Sequence, residues 1–318
     1  MTPPSYIDLH CDTAYELYHQ KQGLLTNHLA VSLDAAACYP NYAQFFAVWS
    51  DRALSDEQAY TDFLAITDHF FAHLAEPAVS ARVQHVRTYN DMMLAWEQGK
   101  AAAFVAVEDA RLLNRRLERL EELAQRGVKY LTLTWGGISC IGGSHDTERG
   151  LTDFGKAVVQ ACFDLGIVPD VSHASETTTE QVLSIAERNG RPVIASHSNY
   201  FSVYPHSRNL RDDHFRRICA LGGLVGLNLC RDHLCNNALT PAEETHVLSH
   251  LEHALTLGGE HTVAIGGDLD GAMLPRGIQT VADVGQLSGV MAKSGIDQTV
   301  IERIFYGNAL RFIQANFG

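Results

Sequence analysis

The sequence is poor in basic residues. Its 318 residues include 24 lysines and arginines against 37 aspartates and glutamates, which gives a formal net charge of −13 at pH 7. A nucleic-acid-binding surface needs an excess of positive charge to meet the phosphates. The charge balance therefore argues against nucleic acid as a partner, although it leaves room for a local basic pocket.

Long apolar runs and a cysteine framework are also missing. No apolar stretch is long enough to cross a bilayer, and Met1–Pro4 leads into the first apolar run without the pattern of a secretory signal. The seven cysteines are odd in number and scattered, and the spacing from Cys230 to Cys235 does not match a zinc knuckle. We therefore expect reduced thiols in a cytoplasmic protein that does not associate with a membrane.

What the sequence does contain is a repeated alternation of short apolar runs and amphipathic segments. Eight runs are predicted to be buried parallel strands, because they lack polar alternation and are separated by segments with helical spacing. These runs are Tyr6–Leu9, Gln44–Trp49, Ala102–Val107, Tyr130–Thr134, Ile167–Val171, Pro192–Ala195, Leu224–Leu229 and Thr262–Ile265. The predicted helices include Asp56–Leu74, Asn114–Gln125, Asp153–Leu165, Thr177–Arg188, Asp212–Leu221 and Pro241–Leu257.

This alternation predicts a (β/α)8 TIM barrel, since eight strands and their helices fit a chain of about 300 residues. A doubly wound sheet is the alternative, but no Gly-x-Gly-x-x-Gly follows the first run, which weakens its dinucleotide-binding version. The tail, Val281–Phe317, adds further helical segments, with a break expected at Gly307-Asn308. No linker or internal repeat is visible, so residues 1–318 are predicted to form one domain.

Side chains that bind metals or move protons follow five of the eight predicted strands. The carboxyl ends of barrel strands gather on one face, so these side chains are expected to converge. They are His10 and Asp12, then Glu108, His173, His197 and Asp268. Imidazole and carboxylate groups without thiolates favour zinc, manganese, cobalt or iron(II). The pattern therefore predicts a metal centre.

The number of candidate ligands exceeds what one catalytic ion needs. Two ions would use them if Glu108 were shared, with His10 and Asp12 on one side and His173 and His197 on the other. Two ions about 3.5–4 Å apart can hold a bridging hydroxide and polarise a carbonyl group. The reaction class that follows is hydrolysis of an amide or an ester.

Asp268 is the candidate for proton transfer. The preceding Gly266-Gly267 pair lets the backbone approach the site closely. A carboxylate beside metal-bound water can accept its proton and later pass it to the leaving amine. The alternative for an aspartate in Gly-Asp-Leu-Asp-Gly is a turn or a helix cap, and Asp270 fits that alternative better.

Taken in chain order, these motifs resemble those of the renal (membrane) dipeptidase family of zinc metallopeptidases. The matching stretches cover nearly the whole sequence: Asp8–Thr13, Ala43–Phe46, Val107-Glu108, Tyr130–Thr134, Gly150–Gly155, Asp170–His173, Ser196–Ser198, Ser207–Asp213, Gly266–Gly271 and Gly307-Asn308. The resemblance implies an amidohydrolase-like barrel with two zinc ions, a dipeptide as the substrate and a homodimer. Other divalent metals remain open.

The resemblance also implies a role for each site residue. It assigns His10 and Asp12 to one zinc, His173 and His197 to the other, Glu108 to both, and proton transfer to Asp268. Arg208 matches the arginine that binds the C-terminal carboxylate of the substrate, which suits a guanidinium because it grips a carboxylate with two parallel hydrogen bonds. The alternative for Arg208 is a surface ion pair with Asp212 or Asp213.

One position departs from the family. Mammalian members carry a histidine after Leu-Thr-Leu-Thr that contacts the scissile carbonyl or its oxyanion, whereas this sequence has Trp135. An indole N–H can donate a hydrogen bond, but the ring is larger and cannot titrate. Either the metal alone stabilises the oxyanion, or His145 in the following glycine-rich loop reaches the substrate. Trp135 and His145 are therefore both candidate substrate contacts.

The favoured function is a metallo-dipeptidase, with the L or D configuration of the C-terminal residue left open. The first alternative is an amidohydrolase acting on N-acyl amino acids, lactones or cyclic amides. Many such barrels use a carboxylated lysine at the end of the fourth strand, whereas Lys129 begins that strand here and Glu108 can bridge instead. The second alternative is a non-catalytic metal-binding protein.

Three of the histidines outside this pattern share one predicted helix. His246, His250 and His253 are spaced at i, i+4 and i+7 of one predicted helix, which puts them on the same face. That spacing can bind a metal at a surface, but it more often belongs to a solvated helix face, and we expect the latter.

Overall fold

The computed structural model describes residues 3–236 and 238–318. Nine parallel strands form its sheet, and all eight predicted strands are among them. The strands are β1 (Tyr6–Cys11), β2 (Tyr42–Trp49), β3 (Val83–His85), β4 (Ala101–Glu108), β5 (Val128–Thr132), β6 (Val168–Asp170), β7 (Ile194–Ala195), β8 (Leu224–Leu227) and β9 (Val263–Ile265).

Eight of these strands close a barrel. β1 pairs with β2 on one side and β9 on the other, β2 pairs with β4, and β4 to β9 follow in chain order. The β2–β4 pairing is the longest, from Ala43 opposite Ala102 to Trp49 opposite Glu108. The predicted (β/α)8 barrel is confirmed. β3, which was not predicted, is an additional short strand that pairs with the start of β4.

Helices cover the barrel, and the six predicted between the strands are confirmed. They are α1 (Thr13–Gln20), α2 (Leu33–Ala36), α3 (Asp56–Leu74), α4 (Pro77–Ser80), α5 (Tyr89–Glu97), α6 (Glu118–Arg126), α7 (Asp153–Leu165), α8 (Glu176–Asn189), α9 (Asp212–Ala220), α10 (Arg231–Leu234), α11 (Glu244–Thr256), α12 (Val281–Val284), α13 (Gln286–Lys293), α14 (Gln298–Glu302) and α15 (Asn308–Asn316). Short 3-10 helices lie at Ala110–Leu113 and Gly259–His261. None of the helices in the described residues is long and apolar enough to span a membrane.

The predicted break at Gly307-Asn308 is wrong. Arg303–Gly307 forms a π-helix that joins α14 to α15 without a gap. Gly307 has φ −63° and Asn308 φ −68°, both helical. Asn308 Nδ2 donates hydrogen bonds to the carbonyl oxygens of Glu260 (3.0 Å) and Val263 (2.7 Å). The asparagine therefore ties this helix to β9 instead of ending it.

Two apolar clusters fill the fold. The larger one lies between the sheet and the helices, as in the contact of Phe46 with Phe70 of α3. The second lies inside the barrel, because it joins strands that are not neighbours: the rings of Phe45 and Tyr130 are 5.7 Å apart. Phe317 packs against Phe45 at 6.4 Å and is 3% exposed, so the end of the chain fills the base of the barrel.

Two glycines let three strand ends come close together. A β-carbon on Gly226 of β8 would lie 2.0 Å from the carbonyl oxygen of Ser196, and one on Gly266 would lie 1.8 Å from the same atom. Real β-carbons do not approach backbone oxygens so closely. The missing side chains therefore allow the ends of β8 and β9 to pack against the residue that precedes His197.

Candidate active site

Three histidines and three carboxylates meet at the carboxyl end of the barrel. Ligand atoms within 4.8 Å of one another form three overlapping groups: His10–Asp12–Glu108, Glu108–His173–His197 and His10–His197–Asp268. These are the six residues that the sequence placed at strand ends. The structure brings all of them into one cluster, and five of the six are buried.

Glu108, the last residue of β4, lies at the centre of the cluster. Its Oε2 is 3.6 Å from Nε2 of His10, while its Oε1 is 3.0 Å from Nε2 of His173 and 3.3 Å from Nε2 of His197. The two oxygens of one carboxylate thus face different histidines. This is the arrangement expected of a carboxylate shared by two cations.

Hydroxyl groups orient two of the imidazole rings. The Tyr130 hydroxyl donates to the carbonyl oxygen of Leu9 (2.8 Å), so it accepts from Nδ1–H of His10 at 2.9 Å. The Ser196 hydroxyl donates to Asp170 (2.6 Å), so it accepts from Nδ1–H of His197 at 2.8 Å. In both rings this leaves Nε2 facing the cluster as an electron-pair donor.

His173 is oriented by a backbone group. A carbonyl oxygen only accepts hydrogen bonds, so Nδ1–H of His173 donates to that of Trp135 at 3.1 Å. Its Nε2 lies 2.9 Å from Nε2 of His197. Burial lowers the pKa of His173 and holds that of His197 well below its ordinary value, so both rings are neutral. Two lone pairs at this distance repel unless a cation lies between them.

Several buried atoms of the cluster have no hydrogen-bond partner among the described residues. They are Nε2 of His10, Oδ1 of Asp12 and Oε1 of Glu108. Buried polar atoms are rarely left without a partner. The donor set and its orphaned atoms therefore fit a centre for divalent metal ions.

Asp268, a member of this cluster, has a left-handed backbone conformation, with φ +56°. Its carboxylate accepts a hydrogen bond from Asn228 Nδ2 at 3.1 Å, and its backbone N–H donates to the carbonyl oxygen of His10 at 3.1 Å. Asp270, with φ +68°, instead accepts from the Thr13 hydroxyl at 2.6 Å and from the backbone of Ala30. The second aspartate thus holds loops together, while the first faces the histidines.

A cavity of about 750 Å³ opens above the cluster. Its two sides come from opposite halves of the barrel. We name the aromatic half after three residues that line the cavity: Tyr15, which follows β1, Trp49, which ends β2, and Trp135, which follows β5. The polar half is formed by the ends of β6 to β9, and the aromatic half by those of β1 to β5. We name the polar half after Arg208 and His233, which line the cavity after β7 and β8.

Arg208 is a buried cation, 5% exposed. Among the described residues it has no carboxylate within ion-pair distance, its Nε has no hydrogen-bond partner, and its Nη2 makes one long contact, 3.4 Å, with the carbonyl oxygen of His197. The alternative ion pair of Arg208 with Asp212 or Asp213 is not formed among the described residues, and Asp212 instead lies 2.9 Å from His253. A buried guanidinium with unused donors is suited to an anionic ligand.

Comparison with known proteins agrees with this geometry. Residues 1–316 match the family model described as membrane dipeptidase (peptidase family M19). The chain belongs to the membrane dipeptidase family. Mouse Dipeptidase 3 is 32% identical over 221 residues, which are 67% of this chain but only 44% of the mouse protein.

Solved structures of metallo peptidases have the same fold. The crystal structure described as dipeptidase AC, a metallo peptidase of family M19, is 26% identical, with a TM-score of 0.89 over the full length of both chains. A metallo peptidase from Rhodobacter sphaeroides, bound to a phosphinate mimic of the dipeptide L-Ala-D-Ala, is 23% identical. Its TM-score is 0.90 over 99% of this chain and all of that one.

Trp135 and His145, the two candidate substrate contacts, both lie beside His173. The ring of Trp135 stacks on that of His173 with 5.7 Å between centroids. His145 donates from its backbone N–H to the carbonyl oxygen of His173 at 2.7 Å, and its Nδ1 lies 2.9 Å from the Ser207 hydroxyl. Burial and the nearby Arg208 lower the pKa of His145 to about 3. His145 is thus a neutral ring on the wall of the cavity.

Sequence reasoning missed the residues behind the cluster. Tyr130, Ser196 and Asp170 orient the histidines, and Asn228 holds Asp268. Each is a polar residue within or next to a predicted buried strand, and that is the signal that could have found them. His233, which lines the cavity with an unpartnered buried Nδ1, lies in the short helix α10, outside every predicted element, and carried no such signal.

Proposed function

We propose that this protein is a metal-dependent dipeptidase that hydrolyses the peptide bond of dipeptides. The observation that carries the proposal is the pairing, in one cavity, of a buried histidine and carboxylate cluster with the unpaired guanidinium of Arg208. A cluster of this kind serves hydrolysis, and the guanidinium gives the substrate's free carboxylate a fixed place. Membership of the membrane dipeptidase family supports the same reaction.

The cluster would hold two zinc ions. His10 and Asp12 would bind one, His173 and His197 the other, and the two oxygens of Glu108 both. When bound, the ions supply Lewis acidity and a water molecule that is deprotonated near neutral pH. Tyr130, Ser196 and the Trp135 carbonyl group keep Nε2 of each imidazole available as a ligand.

The remaining steps belong to side chains of the polar half. Arg208 would bind the C-terminal carboxylate and so place the scissile carbonyl over Glu108. Asp268 would take a proton from the attacking water and release it to the leaving amine, with Asn228 holding its carboxylate in place. These two roles fix the direction of the substrate.

His145 would contact the carbonyl oxygen. If its Nδ1 accepts from the Ser207 hydroxyl, its Nε2 carries the proton and can donate a hydrogen bond. Trp135 would contact the substrate through the face of its ring. We extend the proposal to dipeptides with a D-residue at the C-terminal position, since a protein of the same fold binds a mimic of L-Ala-D-Ala.

The proposed function is tested with zinc-loaded protein and four substrates: L-Ala-L-Ala, L-Ala-D-Ala, N-acetyl-L-alanine and L-Ala-L-Ala amide. We expect hydrolysis of free dipeptides, its loss on chelation and its return with zinc. Blocking the carboxylate should lower kcat/KM about 100-fold, because the partner of Arg208 is removed. Cleavage of the N-acyl amino acid but not of dipeptides would favour an amidohydrolase. Inactivity of fully loaded protein on all four would favour a metal-binding protein.

We also propose a cellular location and an oligomeric state for this protein. A cytoplasmic location is supported by the seven cysteines, all of which carry free thiols. A homodimer rests on the family resemblance alone. Sedimentation velocity of the zinc-loaded protein would decide between one and two chains.

A further inference from the structure

We infer that this enzyme prefers dipeptides whose N-terminal residue carries a large apolar or aromatic side chain. The reason is the wall of rings in the aromatic half of the cavity, which consists of Tyr15, Trp49 and Trp135. The inference rests on the proposed function, because it names the substrates of the same site.

The direction of the substrate follows from the order of the barrel strands. Arg208 belongs to the polar half, while Glu108 ends β4 in the aromatic half. A dipeptide backbone spans about 7 Å when extended. With its carboxylate on Arg208 and its carbonyl over Glu108, the substrate must direct its N-terminal residue toward Trp49, whose Cα pairs with that of Glu108 across β2 and β4.

The rings form one continuous surface. Tyr15 meets Trp49 with centroids 5.2 Å apart at 74°, and Trp49 meets Trp135 at 5.2 Å and 60°. Trp135 in turn stacks on His173, so the wall reaches the edge of the cluster. Edge-to-face packing fixes the rings in place, and their half-buried faces remain available to an apolar group.

Charged groups at this end of the cavity do not favour a charged side chain. Arg52 lies over the Trp135 ring, 5.9 Å from its centroid, and Glu16 of the opposite sign lines the same cavity. Arg52 is exposed to solvent, where a single ion pair contributes little. Burial, with Asp51 nearby, raises the pKa of Tyr15 to about 12, so its ring carries no charge. The contact area that remains is aromatic.

The expected preference is measurable. An alanine side chain would leave most of the wall uncovered, whereas a benzyl group would cover it. Apolar pockets discriminate by about 10–200-fold for each methylene group they can enclose. Since this wall encloses the side chain on one face only, we expect kcat/KM for Phe-Ala to exceed that for Ala-Ala by about tenfold to 100-fold, and Ala-Phe to gain much less.

The experiment measures kcat/KM for Phe-Ala, Ala-Ala and Ala-Phe with the zinc-loaded protein and its variants. Trp49→Ala and Tyr15→Ala should each lower the Phe-Ala to Ala-Ala ratio about tenfold. The matched control is Tyr18→Ala on the same helix, where the ring packs against His19 and His69 and does not line the cavity. Trp49→Phe, which keeps a ring, should retain most of the preference if Trp49→Ala fails to fold.

The outcomes distinguish a failure of this inference from a failure of the proposed function. If the wild-type protein hydrolyses dipeptides with a Phe-Ala to Ala-Ala ratio near one, or prefers Ala-Phe, the inference is overturned while the proposed function stands. An unchanged ratio in both wall variants would also overturn it. If no dipeptide is hydrolysed at all, the proposed function is wrong, and this inference is overturned as well because it rests on that function.

Discussion

The polar and aromatic halves of the cavity are held together by different forces. In the polar half, buried Asp170 accepts hydrogen bonds from Ser172, Ser196 and Thr132, and Asn228 fixes Asp268. In the aromatic half, ring packing holds the side chains. Hydrogen bonds fix direction, whereas packed rings fix shape and tolerate change. The comparison suggests that proton transfer and binding of the C-terminal carboxylate depend on the first half, and the choice of N-terminal side chain on the second.

The largest effect is expected from Asp268→Asn. Asparagine keeps the shape and accepts a left-handed backbone, but it cannot take up a proton. We expect kcat to fall by about 10²–10⁴-fold, with both zinc ions retained by metal analysis. The matched control is Asp270→Asn, which should lower thermal stability while changing kcat only a few-fold. Full turnover of metal-loaded Asp268→Asn would show that the polar half does not carry the proton transfer.

A second effect concerns His250, which supports the polar half. Its Nδ1 accepts from the backbone N–H of Tyr200 (3.1 Å), and its Nε2 donates to the carbonyl oxygen of Leu234 (3.0 Å). Burial lowers its pKa from 6.5 to about 4. Between pH 6.5 and pH 4 this histidine is protonated in the unfolded chain but neutral in the folded protein. The free energy of unfolding therefore decreases as the pH falls through this range.

At pH 4 the neutral, buried His250 should lower the free energy of unfolding by about 3 kcal/mol relative to neutral pH. Urea denaturation of the wild type and of His250→Asn at several pH values measures it. We expect the variant to be less stable than the wild type at pH 7. The difference in unfolding free energy should narrow toward pH 4, because only the wild type loses stability through the titration of His250. His28→Asn, at an exposed position, controls for the loss of a histidine. A gap that is constant with pH would contradict the assignment.

The two arginines of the cavity give a third test. Arg208 is buried in the polar half, whereas Arg52 is exposed over Trp135 in the aromatic half. Arg208→Met should lower kcat/KM for dipeptides about 100-fold by removing a charged hydrogen-bond partner. It should also leave the unfolding free energy unchanged or raise it, because the native guanidinium is buried without a carboxylate to pair with.

Arg52→Met is the matched control and should change kcat/KM only a few-fold. Enzyme kinetics and urea denaturation of both variants provide the measurement. Equal losses from the two substitutions would mean that the halves do not differ in how they hold the substrate.

The smallest effect compares two hydroxyl groups. Ser196 supports His197 and is backed by the Asp170 carboxylate, whereas Tyr130 supports His10 and is backed by a neutral carbonyl group. Removing such a group typically lowers metal affinity 10–100-fold. Ser196→Ala should lie at the upper end and Tyr130→Phe near tenfold, measured by competition with a zinc chelator. The reverse order would show that the charge behind the serine does not matter.

The fold and the cluster could be predicted because both depend on local patterns. Apolar runs mark buried strands, and a barrel brings the carboxyl ends of its strands together. His10, Glu108 and Asp268 could therefore be grouped from the sequence alone. β3 could not be predicted, since a strand of three residues with one buried side chain carries little pattern. The π-helix that replaced the expected break depends on Asn308 bonding to β9, a contact between distant parts of the chain.

His250 is the clearest error, and its cause is instructive. The spacing of His246, His250 and His253 predicted a solvated face, but His250 is fully buried and both ring nitrogens form hydrogen bonds. A helix presents its faces according to what packs against it, and the loops after β7 and β8 cover this one. Spacing along a sequence does not contain that information.

The glycine pair behind His197 has a consequence for inherited variation. Every single-base missense change in a glycine codon adds at least a β-carbon, and at Gly226 or Gly266 that atom would lie within 2.0 Å of the Ser196 carbonyl oxygen. Ser196 would have to move, and His197 with it. Natural alleles altered at either codon should therefore behave as loss-of-function alleles, although neither glycine takes part in any chemical step.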